Sequence, residues 1–206
     1  MYKDYLEKNH SFDKKTMLGI FCMIIVISGV FGFLYEYFFY FFNGGMKEFY
    51  YRGGNFLPWI NIYATGSVMI YILTYKYRKS PLKVFLISVI STGLLEYFSG
   101  LGIYIIGDGL RYWDYNTEIL NFGNINGFIC LRSVMFFALS ALLLMYVIVP
   151  FCFHVASKSN KKVFLIVTIT MCSVFLADEF YNLIFTKIFN LPNAIKIYKS
   201  IGIHYM

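Results

Sequence analysis

The sequence predicts an all-α fold: a polytopic membrane helix bundle of about five transmembrane helices, with an outer re-entrant or lid segment. Three observations carry this. Of 206 residues, 59% are apolar, 21% are aromatic and only 14% are charged, against about 25% charged in soluble domains. A soluble chain of this length could not cover so much apolar surface, whereas in lipid apolar side chains need no burial. The apolar residues also gather in runs long enough to cross a bilayer as helices, which takes about 20 residues.

The runs divide the chain in order. Residues 1–15 read as a cytoplasmic N-terminal tail, 16–186 as the helical bundle and 187–206 as a C-terminal interfacial tail. The first span, 16–42, is too long for a cleaved signal peptide and no small-residue cleavage site follows it, so it is expected to stay as an anchor. Further spans are expected at 57–76, 82–106, 130–153 and 163–186. No Ser-, Pro- or Gly-rich linker separates two parts, and one membrane domain is expected. After Pro192, apolar residues at Ile195, Tyr198 and Ile201 suit a short helix lying at the interface. A disordered tail is the alternative.

The net charge of +7 would fit nucleic acid, but the cations sit in short connections, where the topology rule accounts for them. On one side fall Lys3, Lys8, Lys14, Lys15, Lys76, Arg78, Lys79, Lys83, Lys158, Lys161 and Lys162. On the other fall Lys47, Arg52, Arg111, Arg132, Lys187, Lys196 and Lys199. The excess on the first side places the N-terminus in the cytoplasm and, with five spans, the C-terminus outside. No nucleic-acid partner is expected, and membrane lipids are.

Cys22, Cys130, Cys152 and Cys172 lie in or beside apolar runs without the spacing of a disulfide frame or zinc site. They read as small apolar filler. His10, His154 and His204 are scattered. No metal site or cofactor is implied.

Carboxylates inside the spans are the main functional signal. Glu36 lies in the first, Glu96 in the third, and Asp178 and Glu179 in the fifth. An ionised carboxylate near the middle of such a helix costs about 2.5–3.5 kcal/mol on insertion scales. The three helices run in one direction, so their acids share a depth. Each acid lies on a small or polar stripe: Ser28, Gly32 and Glu36; Ser88, Thr92, Glu96 and Gly100; Thr168, Cys172, Glu179 and Asn182. Such stripes let helices approach closely, and they are expected to face a shared interior.

The stretch from Gly107 to Cys130 is too polar to span and too aromatic for a plain solvated loop. Arg111, Asp114 and Glu118 alternate with Tyr112, Trp113 and Tyr115. Irregular backbone at membrane depth is tolerated only when buried in protein or lining a cavity. This stretch is therefore expected to fold over the outer mouth of the bundle. Candidate ligand-binding or ion-pairing residues are Glu36, Glu96, Arg111, Trp113, Asp114, Arg132, Asp178 and Glu179. The plainer alternative is that the arginines pair with the acids and fix helix register.

FLPWINIYATGS (56–67), LLEYFSG (94–100), LRYWDYN (110–116) and NINGFICLRSVMFF (124–137), with Pro150 after the fourth run, resemble a bacterial family labelled Putative ABC-transporter type IV membrane proteins. The resemblance covers roughly 16–155. It implies a multi-pass protein of the bacterial cell membrane, nominally a transport permease. No phosphate-binding Gly-rich loop with Lys is present, so an ATPase would be a separate subunit. A transport-type protein with a polar intramembrane pocket is the leading expectation. A membrane-embedded enzyme acting on lipid or a cell-wall precursor is the first alternative, but no nucleophile motif or metal cluster supports catalysis. A non-catalytic scaffold, or a homo-oligomer, also remains open.

Overall fold

The computed structural model describes residues 5–6, 12–43 and 53–203. Lys3, Lys8, His10, Lys47, Arg52 and His204 lie outside the described residues. The fold is all-α: among the described residues there is no strand, only an isolated bridge between Ile125 and Ile129. The helices are α1 (Lys14–Asn43), α2 (Asn61–Thr74), α3 (Pro81–Ile106), α4 (Leu131–Lys158), α5 (Lys161–Ile188) and α6 (Ala194–Ser200).

Among the described residues four helices, α1, α3, α4 and α5, are long and apolar enough to cross a membrane. The expected second span, 57–76, is shorter than the sequence implies. Its α-helix has 14 residues and passes into a three-residue 3-10 turn, Tyr75–Tyr77. At 1.5 Å per α residue and about 2 Å per 3-10 residue, the two reach about 27 Å, just short of a hydrocarbon core of about 30 Å. The apolar run was misleading at its start, where residues 53–58 form bends rather than helix.

Chain contacts divide the protein into two compact units. Among the described residues, the mid-chain unit holds Tyr5, Leu6 and Gly66–Pro150, and the end-chain unit holds residues 12–43, 53–65 and 151–203.

In the mid-chain unit α3 packs on the first part of α4. Ser80 precedes α3 and Pro81 opens it, where the missing N–H leaves no helical bond unmade. Its buried face is the stripe expected from the sequence: Ser88, Thr92, Glu96 and Gly100. The π-helical turn Leu144–Ile148 interrupts α4 just ahead of Pro150, whose ring and absent N–H break regular α hydrogen bonding. Arg78 is not a solvated loop cation. It is 5% exposed, donates from Nε to the Tyr5 carbonyl at 2.9 Å, and stacks on the Tyr75 ring at 4.3 Å.

In the end-chain unit α1 packs along α5. Small residues make the approach close. A Cβ on Gly19 would lie 2.7 Å from the Phe164 ring, and one on Gly29 would lie 3.1 Å from Trp59 and 3.3 Å from Phe175. Asn160 caps α5 by accepting from the N–H groups of Lys162 and Val163, as an N-cap side chain does. The C-terminal tail contains α6, capped by Asn193.

Candidate functional site

The intramembrane acids belong to two polar clusters, one in each unit. In the mid-chain unit, Glu96 is 2% exposed. Its Oε1 accepts from the Tyr115 hydroxyl at 2.5 Å and its Oε2 from Ser133 Oγ at 2.9 Å. Ser133 sits at the start of α4, where its Oγ also accepts from the Cys130 N–H at 3.2 Å. Tyr115 belongs to the lid segment, so the acid ties the lid and α4 to α3. Burial, and then the neighbouring Glu96 charge, push the Tyr115 phenol well above its usual range.

The arginines take lid acids as partners. Arg132 pairs with Glu118 and lies 5.6 Å from the Tyr115 ring centre. Arg111 lies 3.6 Å from Asp114, and donates to the Asn126 carbonyl at 2.9 Å. Its guanidinium stacks on Phe128 at 4.6 Å and Tyr104 at 4.9 Å. Trp113 donates from Nε1 to the Phe128 carbonyl at 2.9 Å. Asp114 caps the turn that follows, accepting from the Asn116 N–H at 3.0 Å. The segment from Gly107 to Cys130, expected as a lid, is thus an ordered non-helical connection bound to its own ends. Gly127, near its C-terminal end, has φ +77°, and a Cβ there would strike Asn116, Asp114 and Arg111.

In the end-chain unit, Asp178 Oδ1 accepts from the Phe56 N–H at 2.9 Å and Asn182 Nδ2 at 2.8 Å. Its Oδ2 accepts from the Leu57 N–H at 2.9 Å and Trp59 Nε1 at 3.0 Å. Glu179 accepts from Asn55 Nδ2 at 2.7 Å and Asn61 Nδ2 at 3.0 Å. Both carboxylates are buried, and the hydrogen-bond donors to both are uncharged. The bends at 53–58, which displaced the start of α2, exist because these acids hold them. Tyr198 of α6 donates to the Phe56 carbonyl, and the Ala194 N–H donates to Asn182 Oδ1 at 2.8 Å, so the tail closes over the same segment. Glu36 is half-buried and accepts a long hydrogen bond, 3.4 Å, from the Tyr63 hydroxyl.

Of the residues singled out in the sequence, Glu96, Arg111, Trp113, Asp114 and Arg132 fall in the mid-chain unit, and Glu36, Asp178 and Glu179 in the end-chain unit. The partners of the acids were not anticipated. Glu96 is held by hydroxyls, and Asp178 and Glu179 by backbone N–H, indole and amide groups. A signal was available: Asn55 and Asn61 bracket Pro58-Trp59 at the edge of an apolar run, where an amide needs a polar partner.

Such an arrangement, with long apolar helices carrying carboxylates buried among neutral donors, defines a helical membrane protein. The chain belongs to the family described as Putative ABC-transporter type IV, whose model matches residues 22–183. That span takes in every candidate residue from Glu36 to Glu179. No curated protein and no solved structure matched the chain.

Proposed function

We propose that the chain is a transport-type membrane protein of the bacterial cell membrane in which Glu96 binds a proton or monovalent cation. The observation that carries this is Glu96 itself, 2% exposed on an apolar helix and held by two hydroxyls. A carboxylate in that setting has a high cost of ionisation. Protonation or a bound cation relieves that cost, and either change alters what the Tyr115 and Ser133 hydroxyls donate to. Because Tyr115 belongs to the lid, occupancy of Glu96 is linked to lid position. Arg111, Trp113, Asp114 and Arg132 shape the lid, and in the end-chain unit Asp178 and Glu179 clamp residues 55–61. Glu36 is a further acid of the end-chain unit, bonded to the Tyr63 hydroxyl.

The test is reconstitution into vesicles loaded with a dye sensitive to H⁺, Na⁺ or K⁺, under an imposed gradient of the matching ion. The wild-type chain should dissipate at least one gradient, and Glu96→Gln should not. A wild-type chain silent to all three ions would remove the cation reading. The family description brings a separate ATPase subunit into the proposal. The α4–α5 turn is only Ser159 and Asn160, so such a subunit would dock on helix ends and exposed lysines. Co-purification from the native membrane tests that partner.

Charge asymmetry supports an N-terminus in the cytoplasm and a C-terminus outside. A single Cys placed at position 196 should label from outside in cells, and one at 160 should not.

A further inference from the structure

The end-chain unit carries a groove of about 270 Å³ between α1, the end of α4 and the start of α5. Its wall includes Cys22, Val26, Val155, Val163, Val167 and Met171. From Val163 to Met171 is eight residues of helix, about 12 Å. One leaflet of hydrocarbon is about 15 Å deep, half of a core of about 30 Å. The groove therefore runs most of the depth of one leaflet, in the two helices α1 and α5 that both begin at the same end.

That end is strongly basic. Lys14 and Lys15 open α1, Lys158 closes α4, and Lys161 and Lys162 open α5, all of them exposed. Among the described residues at this end the acid is Asp13, which is bound to Lys161. Five cations and one acid leave a net charge of +4 around the mouth of an apolar groove. Asp13 is paired with Lys161, which leaves Lys14, Lys15, Lys158 and Lys162 as the other cations of this end. Lys158 and Lys162 flank Ser159 and Val163, which line the groove itself.

We propose that this groove is a binding site for an anionic phospholipid, with one acyl chain along Val163–Met171 and the phosphate on Lys158 and Lys162. The two halves of the site match the two halves of the ligand. An apolar slot of leaflet depth takes a chain, and lysines at the headgroup level take a phosphate. A zwitterionic lipid fills the slot but brings its own cation to a surface that is already positive, so charge sets the preference.

The experiment uses the full chain, purified in a neutral detergent, and phosphatidylglycerol or phosphatidylcholine of identical acyl chains. Bound lipid is counted by native mass spectrometry. Phosphatidylglycerol should bind about tenfold more tightly than phosphatidylcholine, and inorganic phosphate should not displace it. Lys158→Gln with Lys162→Gln should reduce phosphatidylglycerol to the phosphatidylcholine level. Lys196→Gln with Lys199→Gln, which removes the same charge from α6, should leave it unchanged. Val167→Trp, which fills the slot, should release both lipids with helix content intact by circular dichroism. Equal binding of the two lipids, equal loss in the two lysine pairs, or displacement by phosphate alone would each overturn the proposal. If the Lys158 and Lys162 pair fails to fold, Val167→Trp still decides it: retained phosphatidylglycerol there excludes the groove.

Discussion

Asp178 and Glu179 are adjacent, both buried and both held by uncharged donors, yet removing the charge should have very different effects on the two. In Asp178→Asn one oxygen becomes an amide nitrogen. On the Oδ2 side it would face the Leu57 N–H and the Trp59 indole, neither of which can turn away. On the Oδ1 side it would face the Phe56 N–H and the Asn182 amide, whose own oxygen already holds the Ala194 N–H. Either choice loses two charge-assisted hydrogen bonds, at about 1.5–3 kcal/mol each. Relief of the buried charge offsets part of this, which leaves about 3 kcal/mol. For a chain of this length that corresponds to a fall in Tm of roughly 6–12 °C. Glu179→Gln can repair itself. The Asn61 amide can turn over and present its oxygen to the new NH2, while Thr65 Oγ1 accepts from the turned amide and keeps its bond to the Asn61 carbonyl. The cost should stay within about 1 kcal/mol, or about 2–4 °C. The four cysteines are buried and form no disulfide, so a thiol-reactive dye reads unfolding of the detergent-purified protein directly. Equal melting shifts for the two variants, or a larger shift for Glu179→Gln, would refute the donor-matching argument.

Gly127→Ala should strain the lid, since its φ of +77° costs an L-residue about 1–2 kcal/mol before the contact with Arg111, Asp114 and Asn116 is added; faster protease cleavage within residues 107–130 would report it. Tyr115 contributes a pH-dependent term whose sign follows from its raised phenol. Its stabilisation is fully present below the unfolded value of about 10 and is lost as pH rises above it, so lid protection from protease should fall between about pH 10 and 11 in wild type and less in Tyr115→Phe. A double-mutant cycle should couple Arg132 to Glu118 by about 1.5–3 kcal/mol, with Arg132 and Glu96 coupled more weakly; the reverse order, measured by thermal unfolding, would contradict the pairing described above.

Much of this was legible in the sequence, because lipid leaves a helix few ways to be read. Apolar runs located α1, α3, α4 and α5, and four-residue steps located the buried stripe of α3. That residues 107–130 do not form a spanning helix was legible from composition: arginine, acids and aromatics alternate in a stretch too polar to span. What could not be read were the partners. The Phe56 and Leu57 groups that hold Asp178 are backbone N–H donors, which every non-proline residue carries. Nothing in the letters marks those two as the pair that meets a carboxylate. The expectation that arginine would neutralise the acids followed charge alone, but a carboxylate can be satisfied by several neutral dipoles. The shortened α2 has the same origin, since the acids bind residues 55–57 in a bent form that a helix would forbid.

The clamp also sets an order of manufacture. Leu57 and the carboxylate that binds it are 121 residues apart. At about 5–20 residues per second a ribosome needs roughly 6–24 s to go from one to the other. Through that interval the N–H groups of Phe56 and Leu57 have no Asp178 to meet. Glu96, by contrast, finds its two hydroxyls 19 and 37 residues downstream, within one continuous stretch of nascent chain. The mid-chain cluster can thus be assembled while the chain is still being made. The end-chain cluster forms only at the finish, so premature termination before residue 178 leaves the first half of the clamp open to quality-control proteases.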